Sequence, residues 1–166
     1  MPPLQKIVSI PCQVLLYYTT TKLYNNFYKF AFVRNPWDWQ VSMYHFILKE
    51  TLHTYHQVVK SMSSFEEYLE WVIKTKKPYT KGATKFQKEM VTDEQGHLIV
   101  DFLGRFENLE PDFQKICHKL NINASLPSLN TTAHSDYKSY YNDKTRQMVA
   151  EHFKADIELF GYTFEG

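Results

Sequence analysis

Arg34 and Ser42 are the residues whose types and spacing first point to chemistry. Arg34 follows a compact apolar run and directly precedes Asn35-Pro36, a pair that favours the start of a helix. Ligands of open α/β sheets collect at the carboxyl ends of strands, so an arginine at this position is well placed for an anion. Its planar guanidinium matches two phosphate oxygens, and the helix dipole favours the same charge. The Ser42 hydroxyl, about two turns into that helix, would add a donor.

Two structural roles remain open for the same pair of residues. Arg34 could form an ion pair with a carboxylate, and Ser42 could be a small residue at which two helices cross. The residue types alone do not separate these roles from phosphate binding.

The elements that must position these residues are a strand and a helix. Lys29–Arg34 is short and apolar, as in a strand buried on both faces of a parallel sheet. Asn35 is a favoured N-cap and Pro36 a favoured first helical residue. Apolar side chains then recur at helical spacing, at Trp39, Met43, Phe46 and Ile47. The sequence therefore predicts a strand, a tight turn and a helix over Lys29–Lys49.

Capping signals and apolar spacing place the remaining elements. Three helices are predicted: Ser61–Lys74 with a Ser64/Glu67 capping box, Pro111–Leu120 with Cys117 on its apolar face, and a last one from Asn142 or Asp143 to Gly161. Asp93–Gly96 is a turn signal between two short runs, which predicts a hairpin within Phe86–Phe106. Loops are predicted at Lys76–Lys85 and Asn121–Asn130. The order predicts an α/β domain with helices packed on a small sheet.

Composition limits the classes of function. The 166 residues suit a single domain, and 43% hydrophobic and 16% aromatic residues indicate a globular protein. Nineteen basic and 18 acidic residues are nearly balanced, and no basic run predicts nucleic-acid binding. We expect no metal site, because the seven histidines lack ligand spacing, and no membrane span. The default expectation is a cytoplasmic protein, with the lumenal catalytic part of a Golgi-type enzyme as the alternative.

The arginine motif resembles that of a known enzyme family. Arg34-Asn35-Pro36, then Ser42 and Tyr44, is similar to the 3′-phosphate motif of sulfotransferases. These enzymes use 3′-phosphoadenosine-5′-phosphosulfate (PAPS). The match is closest to the carbohydrate-type and bacterial sulfotransferase family proteins. The resemblance implies that Arg34 and Ser42 hold the 3′-phosphate of the nucleotide.

Three later segments resemble the same family in the same order. They are Val100–Leu109 with its Gly-Arg-Phe-Glu motif, the stretch from Leu126 through Tyr141, and Asp156–Tyr162. Together the resemblance covers about residues 22–164 and implies the P-loop-NTPase-like sulfotransferase fold. That fold has a small, mostly parallel sheet flanked by helices.

The family's 5′-phosphosulfate loop has no counterpart in the 166 residues. It has the form Pro-Lys-x-Gly/Ala-Thr-Ser/Thr after a strand, and the nearest segment, Lys6–Pro11, has the wrong order. We expect an N-terminally truncated, partial sulfotransferase domain over residues 1–166 that lacks the first strand and this loop. A degenerate, non-catalytic family member or a replacement segment are the alternatives. Because the loop is absent, we expect this 166-residue chain to transfer sulfate poorly or not at all.

The resemblance also implies roles around the donor and acceptor. A general base would take a proton from a hydroxyl or amine of the acceptor, which is expected to be a carbohydrate, and no metal is required. Glu107 and His45 are the candidates, although Glu107 could pair with Arg105 and His45 could pack in a helix interface. Tyr137, Lys138 and Tyr140 would line the nucleotide, with packing as the alternative for the tyrosines. The rival to an enzyme is a module that binds a 3′-phosphorylated nucleotide, or a partner, without chemistry.

Overall fold

A computed structural model describes residues 26–75, 86–127 and 135–166 of the chain. The strands are β1 (Phe30–Val33) and β2 (Phe102–Arg105). The helices are α1 (Pro36–Lys49), α2 (His56–Lys60), α3 (Phe65–Lys74), α4 (Lys88–Val91), α5 (Leu109–Leu120), α6 (Asp143–His152) and α7 (Lys154–Phe160), with 3₁₀ turns at Phe106–Asn108 and Tyr137–Tyr140. The predicted loop at Lys76–Lys85 and the end of the Asn121–Asn130 loop lie outside the described residues.

These residues form two compact units, one of residues 26–33 and 87–127 and one of residues 34–75, 86 and 135–166. The first unit contains the sheet. Strands β1 and β2 pair in parallel, with Phe32 opposite Gly104 and Val33 opposite Arg105. The described chain is thus an α/β protein with a small parallel sheet flanked by helices, as the sequence predicted. Burial is less complete than predicted, because Phe30, Ala31 and Phe32 are only partly buried.

Gly104 and Asp112 explain how the sheet closes and packs. A Cβ on Gly104 would lie 2.5 Å from Cε1 of the Phe32 ring and 3.2 Å from Cβ of Asp112. These two side chains therefore leave no room for a side chain at position 104. The buried Asp112 carboxylate accepts hydrogen bonds from the Arg105 backbone N–H at 2.9 Å and from the Asn108 amide at 3.0 Å. Lys115 and the Arg105 N–H hold the pKa of this carboxyl below its usual value. One carboxylate therefore ties the end of β2 to α5.

The predicted hairpin is only partly formed. The turn is present: the Asp93 N–H donates to the His97 carbonyl at 2.9 Å, and Gly96 has a φ of +85°, which favours glycine. However, the run before the turn forms helix α4, and the two sides pair only through an isolated Thr92–Leu98 bridge. The predicted hairpin was therefore wrong beyond its turn, because the first run is helical and the second becomes a strand only at Phe102, where it pairs with β1.

The second unit is a helical cluster around an apolar core. The fully or nearly fully buried members of this core are Trp37, Ile47, Val59, Tyr68, Leu69, Val72, Val149 and Phe153. Asn35 caps α1, as predicted, by accepting from the Trp37 N–H at 3.0 Å, and Pro36 is its first residue. Asn142 caps α6 reciprocally with Thr145, and Gly161 ends α7 with a φ of +66°.

Two predicted helices in this unit have different bounds. The predicted Ser61–Lys74 helix begins only at Phe65, and its capping box is half formed. Ser64 accepts from the Glu67 N–H, but the Glu67 carboxylate accepts from Ser63 rather than from Ser64. The predicted last helix is two helices that break at Phe153, whose side chain is fully buried.

Candidate functional site

The N-terminus of α1 carries the predicted phosphate ligands. Asp38 and Ser42 are four residues apart in α1 and so lie on one face of it. Arg34, just before the helix, donates from Nε to the Asp38 Oδ2 at 2.7 Å. Their side chains are 18% and 17% exposed, so the ion pair is largely shielded yet reachable from solvent. The Arg34 guanidinium is therefore held beside the helix face that bears Ser42.

The Arg34–Asp38 pair is the carboxylate partnership that the sequence left open. It engages Nε of the guanidinium and so fixes the orientation of that group. The partly buried Ser42 hydroxyl stays a predicted phosphate ligand, as does Arg34.

Residues 137–141 pack against the same helix. The Tyr141 hydroxyl donates to the Trp37 carbonyl at 2.8 Å, and burial raises the pKa of Tyr141 well above its usual value. The His45 Nε2 and the Tyr140 hydroxyl are 2.9 Å apart, with their rings edge to face. The structure thus brings together two residues, His45 and Tyr140, that the sequence had assigned to one site from distant positions.

Tyr137 and Lys138 turn towards the last residues of the chain. The Tyr137 hydroxyl donates to the Phe164 carbonyl at 2.5 Å, and burial raises the pKa of Tyr137. Lys138 forms an ion pair with Glu165 at 2.8 Å, and this carboxylate raises the pKa of the lysine. Their assignment to the nucleotide stays a prediction, and in this structure both residues hold the chain end.

Trp37 and Asp38 at this site were not singled out from the sequence, and Asn35 was predicted only as a helix cap. The Asn35 amide donates from Nδ2 to the Thr163 carbonyl at 2.9 Å, besides capping α1. The Trp37 indole donates to the Arg146 carbonyl at 3.0 Å. Asp38 could have been found from its position four residues after Arg34, whereas the partner of Asn35 is 128 residues away and leaves no local signal.

Glu107, the other candidate base, lies in the first unit. It is exposed in the 3₁₀ turn Phe106–Asn108 that directly follows β2. The backbone before it is fixed by the bond from the Arg105 N–H to Asp112. The structure therefore places Glu107 after a strand end, as predicted, and its role as a base stays a prediction.

Two other kinds of functional feature are absent from the described residues. Within them, no group of three or more His, Cys, Asp or Glu side chains is arranged to hold a metal ion. No helix in the same ranges is both long and apolar enough to cross a membrane.

Comparison with known proteins decides the family. The model of the sulfotransferase family matches residues 5–163, nearly the whole chain. The chain belongs to the sulfotransferase family. This sulfotransferase-family chain is also similar to an uncharacterized protein of Archaeoglobus fulgidus, with 30% identity over 119 residues. That match covers 70% of this chain and 88% of the relative. No solved structure matches it significantly.

Proposed function

We propose that this sulfotransferase-family protein binds the 3′-phosphate of PAPS at the N-terminus of α1, through Arg34 and Ser42. The observation that carries the proposal is the arrangement of Arg34 at the start of a 14-residue helix, held by Asp38 beside the helix face of Ser42. A guanidinium, a hydroxyl and a helix dipole are a donor set suited to a phosphate dianion. Membership of the sulfotransferase family supports the proposal that this phosphate belongs to a nucleotide sulfuryl donor.

The residues fit one end of the donor better than the other. Arg34 directly precedes α1, Ser42 lies within it, and Tyr140 and Tyr141 hydrogen-bond to it, whereas no segment of the 166 residues matches the loop that holds the 5′-phosphosulfate. Removal of oriented donors from a transition state often costs about 10²–10³ in rate. We therefore expect the 166-residue chain to bind the nucleotide and to turn over slowly.

The reaction is the transfer of a sulfuryl group to a hydroxyl or amine, with a carbohydrate as the proposed acceptor. The bond between sulfur and the donor's phosphate oxygen breaks, a bond from sulfur to the acceptor forms, and a base takes the acceptor's proton. His45 and Glu107 are the proposed bases. His45 has the stronger geometric support, because Tyr140 fixes its ring on α1, near the proposed nucleotide residues.

A second candidate function is nucleotide binding without chemistry. It is favoured because no segment of the 166 residues matches the 5′-phosphosulfate loop. It is also favoured by the aromatic contacts that make residues 137–141 a structural part of the second unit. Binding without turnover over a panel of sugar acceptors would support this module. Robust turnover by the same chain would exclude it.

The binding test compares adenosine 3′,5′-bisphosphate with adenosine 5′-monophosphate by calorimetry. Because hydrogen bonds to charged groups contribute about 1.5–3 kcal/mol, Arg34→Ala should weaken bisphosphate binding by about 10- to 100-fold. Monophosphate binding should change by less than about twofold, since Arg34 would contact only the 3′-phosphate.

Lys154→Ala is the matched control for this test. It removes the same charge from an exposed position on α7, where Lys154 pairs only loosely with Glu158 at 3.6 Å. It should leave both affinities unchanged. Equal losses for the two nucleotides in Arg34→Ala, or no bisphosphate binding by the wild-type chain, would refute the proposal.

A further inference from the structure

The last residues of the chain, 162–166, fold back onto the candidate phosphate site; we name this segment the C-terminal strap. Gly161 ends α7 with a left-handed backbone, and Tyr162 is buried directly after it. The Thr163 carbonyl then accepts from the Asn35 amide at 2.9 Å. The strap therefore contacts the residue that lies between Arg34 and the first turn of α1.

Asn35 has two tasks that constrain each other. Its Oδ1 accepts from the Trp37 N–H at 3.0 Å and caps α1, while its Nδ2 donates to Thr163. Since the amide is planar and rigid, a bond at one end fixes the orientation of the other. Asn35 is 1% exposed, so water does not easily replace the strap as the acceptor.

Phe164 locks the strap in place. Its ring lies edge to face against Trp37, Tyr137 and Tyr141, with ring centres 5.7, 5.8 and 5.6 Å away. The Arg146 guanidinium lies 5.4 Å from the ring centre, a cation–π contact. The Phe164 carbonyl accepts from the Tyr137 hydroxyl. One side chain thus joins the first turn of α1 to the segment 137–141.

We propose that the strap positions the turn Arg34–Trp37, which carries the proposed phosphate ligand. Phe164 thereby sets the preference for a 3′-phosphorylated nucleotide without contacting the nucleotide. By holding Asn35 and Trp37, the strap fixes the backbone from which Arg34 projects. The inference rests on the proposed function, because its ligand is the 3′-phosphate. It adds a residue, Phe164, that lies outside the motif from Arg34 to Tyr44.

The test must separate positioning from ordinary packing, because loss of a partly buried ring destabilises any core. Phe86→Ala is a matched control: Phe86 is also partly buried, belongs to the same unit and packs on the same core, against Phe153 at 5.6 Å. Within the described residues, Phe86 packs on the rings of His152 and Phe153, and Phe153 packs on Trp39, whereas the strap contacts Asn35 and Trp37. Both alanine variants should therefore lower the melting temperature.

The deciding readout is the ratio of the dissociation constants of adenosine 5′-monophosphate and adenosine 3′,5′-bisphosphate. Phe164→Ala should lower this ratio by about three- to tenfold, the effect of one ordinary hydrogen bond, whereas Phe86→Ala should leave it within about twofold. Hydrogen exchange without nucleotide should quicken at Trp37, whose N–H donates to the Asn35 side chain, in Phe164→Ala only.

The outcomes distinguish the two proposals. If the wild-type chain prefers the bisphosphate and Phe164→Ala keeps the same ratio, the strap is packing only, and the positioning role is refuted while the proposed function stands. Equal falls of the ratio in Phe164→Ala and Phe86→Ala would also refute it. If the wild-type chain shows no preference for the bisphosphate, the proposed function fails, and the inference fails with it.

Discussion

The Arg34 Nε and the Asp38 Oδ2 are 2.7 Å apart, and both side chains are more than four-fifths shielded from solvent. An anion held by Arg34 would share its cation with this carboxylate. Two effects then oppose each other: Asp38 orients the guanidinium, and it repels a phosphate. Arginine loses much rotamer freedom on binding, so prior orientation reduces the cost of capturing a phosphate. We expect orientation to dominate.

Asp38→Ala should accordingly weaken adenosine 3′,5′-bisphosphate binding by about five- to tenfold, because the loss of a charge-assisted bond makes the orientation of Arg34 less fixed. Asp38→Asn keeps an acceptor for Nε and should cost only about two- to threefold. Calorimetric titration of both variants measures the difference. Glu158→Ala, which removes a negative charge from the exposed face of α7, is the control and should have no effect. Tighter binding in Asp38→Ala would show instead that the carboxylate competes with the phosphate.

Gly104 provides a prediction about the first unit. Its substitution by alanine would place a Cβ 2.5 Å from the Phe32 ring, so either the ring or β2 must shift. Overpacking of this kind costs about 1–3 kcal/mol in the free energy of unfolding. Urea denaturation of Gly104→Ala should show a loss in that range. The glycine of the Gly-Arg-Phe-Glu motif is thus explained by the packing of Phe32.

A double variant tests that explanation directly. Phe32→Leu removes the ring atoms that the new Cβ would meet, so Gly104→Ala should cost less in a Phe32→Leu background. A coupling of about 1 kcal/mol is expected for residues in contact. Additive losses would mean that Phe32 is not the obstacle, and the Asp112 Cβ, at 3.2 Å, would then be the remaining candidate.

Local signals explain what the sequence predicted well. Asn35 and Pro36 specify the start of α1, Asn142 specifies the start of α6, and Gly161 ends α7, because each acts within one helical turn. Strand β1 was also predictable, since its apolar run is short and bounded by charged residues. The parallel pairing of β1 with β2 was predicted from the fold class and not from any particular residue.

Long-range packing explains what the sequence did not predict. The apolar stripe of the last helix continues through Phe153, yet the helix breaks there, because the buried ring packs against Trp39, Phe86 and His152. The run before Asp93 forms α4 instead of a strand. Asn35 and Thr163 are 128 residues apart, so neither their contact nor the strap was predictable from spacing.

Tyr141 anchors the first turn of α1 through its hydroxyl, which donates to the Trp37 carbonyl. Tyr141→Phe should lower the free energy of unfolding by about 0.5–1.5 kcal/mol, since one hydrogen bond is lost from a buried environment. Urea denaturation measures the loss. Tyr55→Phe is the control, because the Tyr55 hydroxyl has no hydrogen-bond partner within residues 26–75, 86–127 and 135–166. Equal effects in the two variants would show that the Tyr141–Trp37 bond contributes nothing specific.

His152 should make stability depend on pH. Its half-buried ring packs on Phe86 and Phe153, with ring centres 5.3 and 4.7 Å away, and this burial lowers its pKa below the ordinary 6.5. It lines a groove of about 510 Å³ between α3 and α6, whose charged members are Glu70, Lys74, Lys144 and Glu151. Because the folded state binds the proton more weakly than the unfolded state, this contribution is full above pH 6.5 and is lost as the pH falls through 6.5 towards the folded-state pKa.

The melting temperature of the wild-type chain should therefore fall between about pH 7 and pH 5 more steeply than that of His152→Phe, which cannot titrate. The difference between the two curves isolates His152 from the other histidines and from the carboxylates, which titrate mainly at lower pH. An NMR titration of the His152 ring should give a midpoint below 6.5. A midpoint at or above that value, or parallel melting curves, would contradict the effect of burial between Phe86 and Phe153.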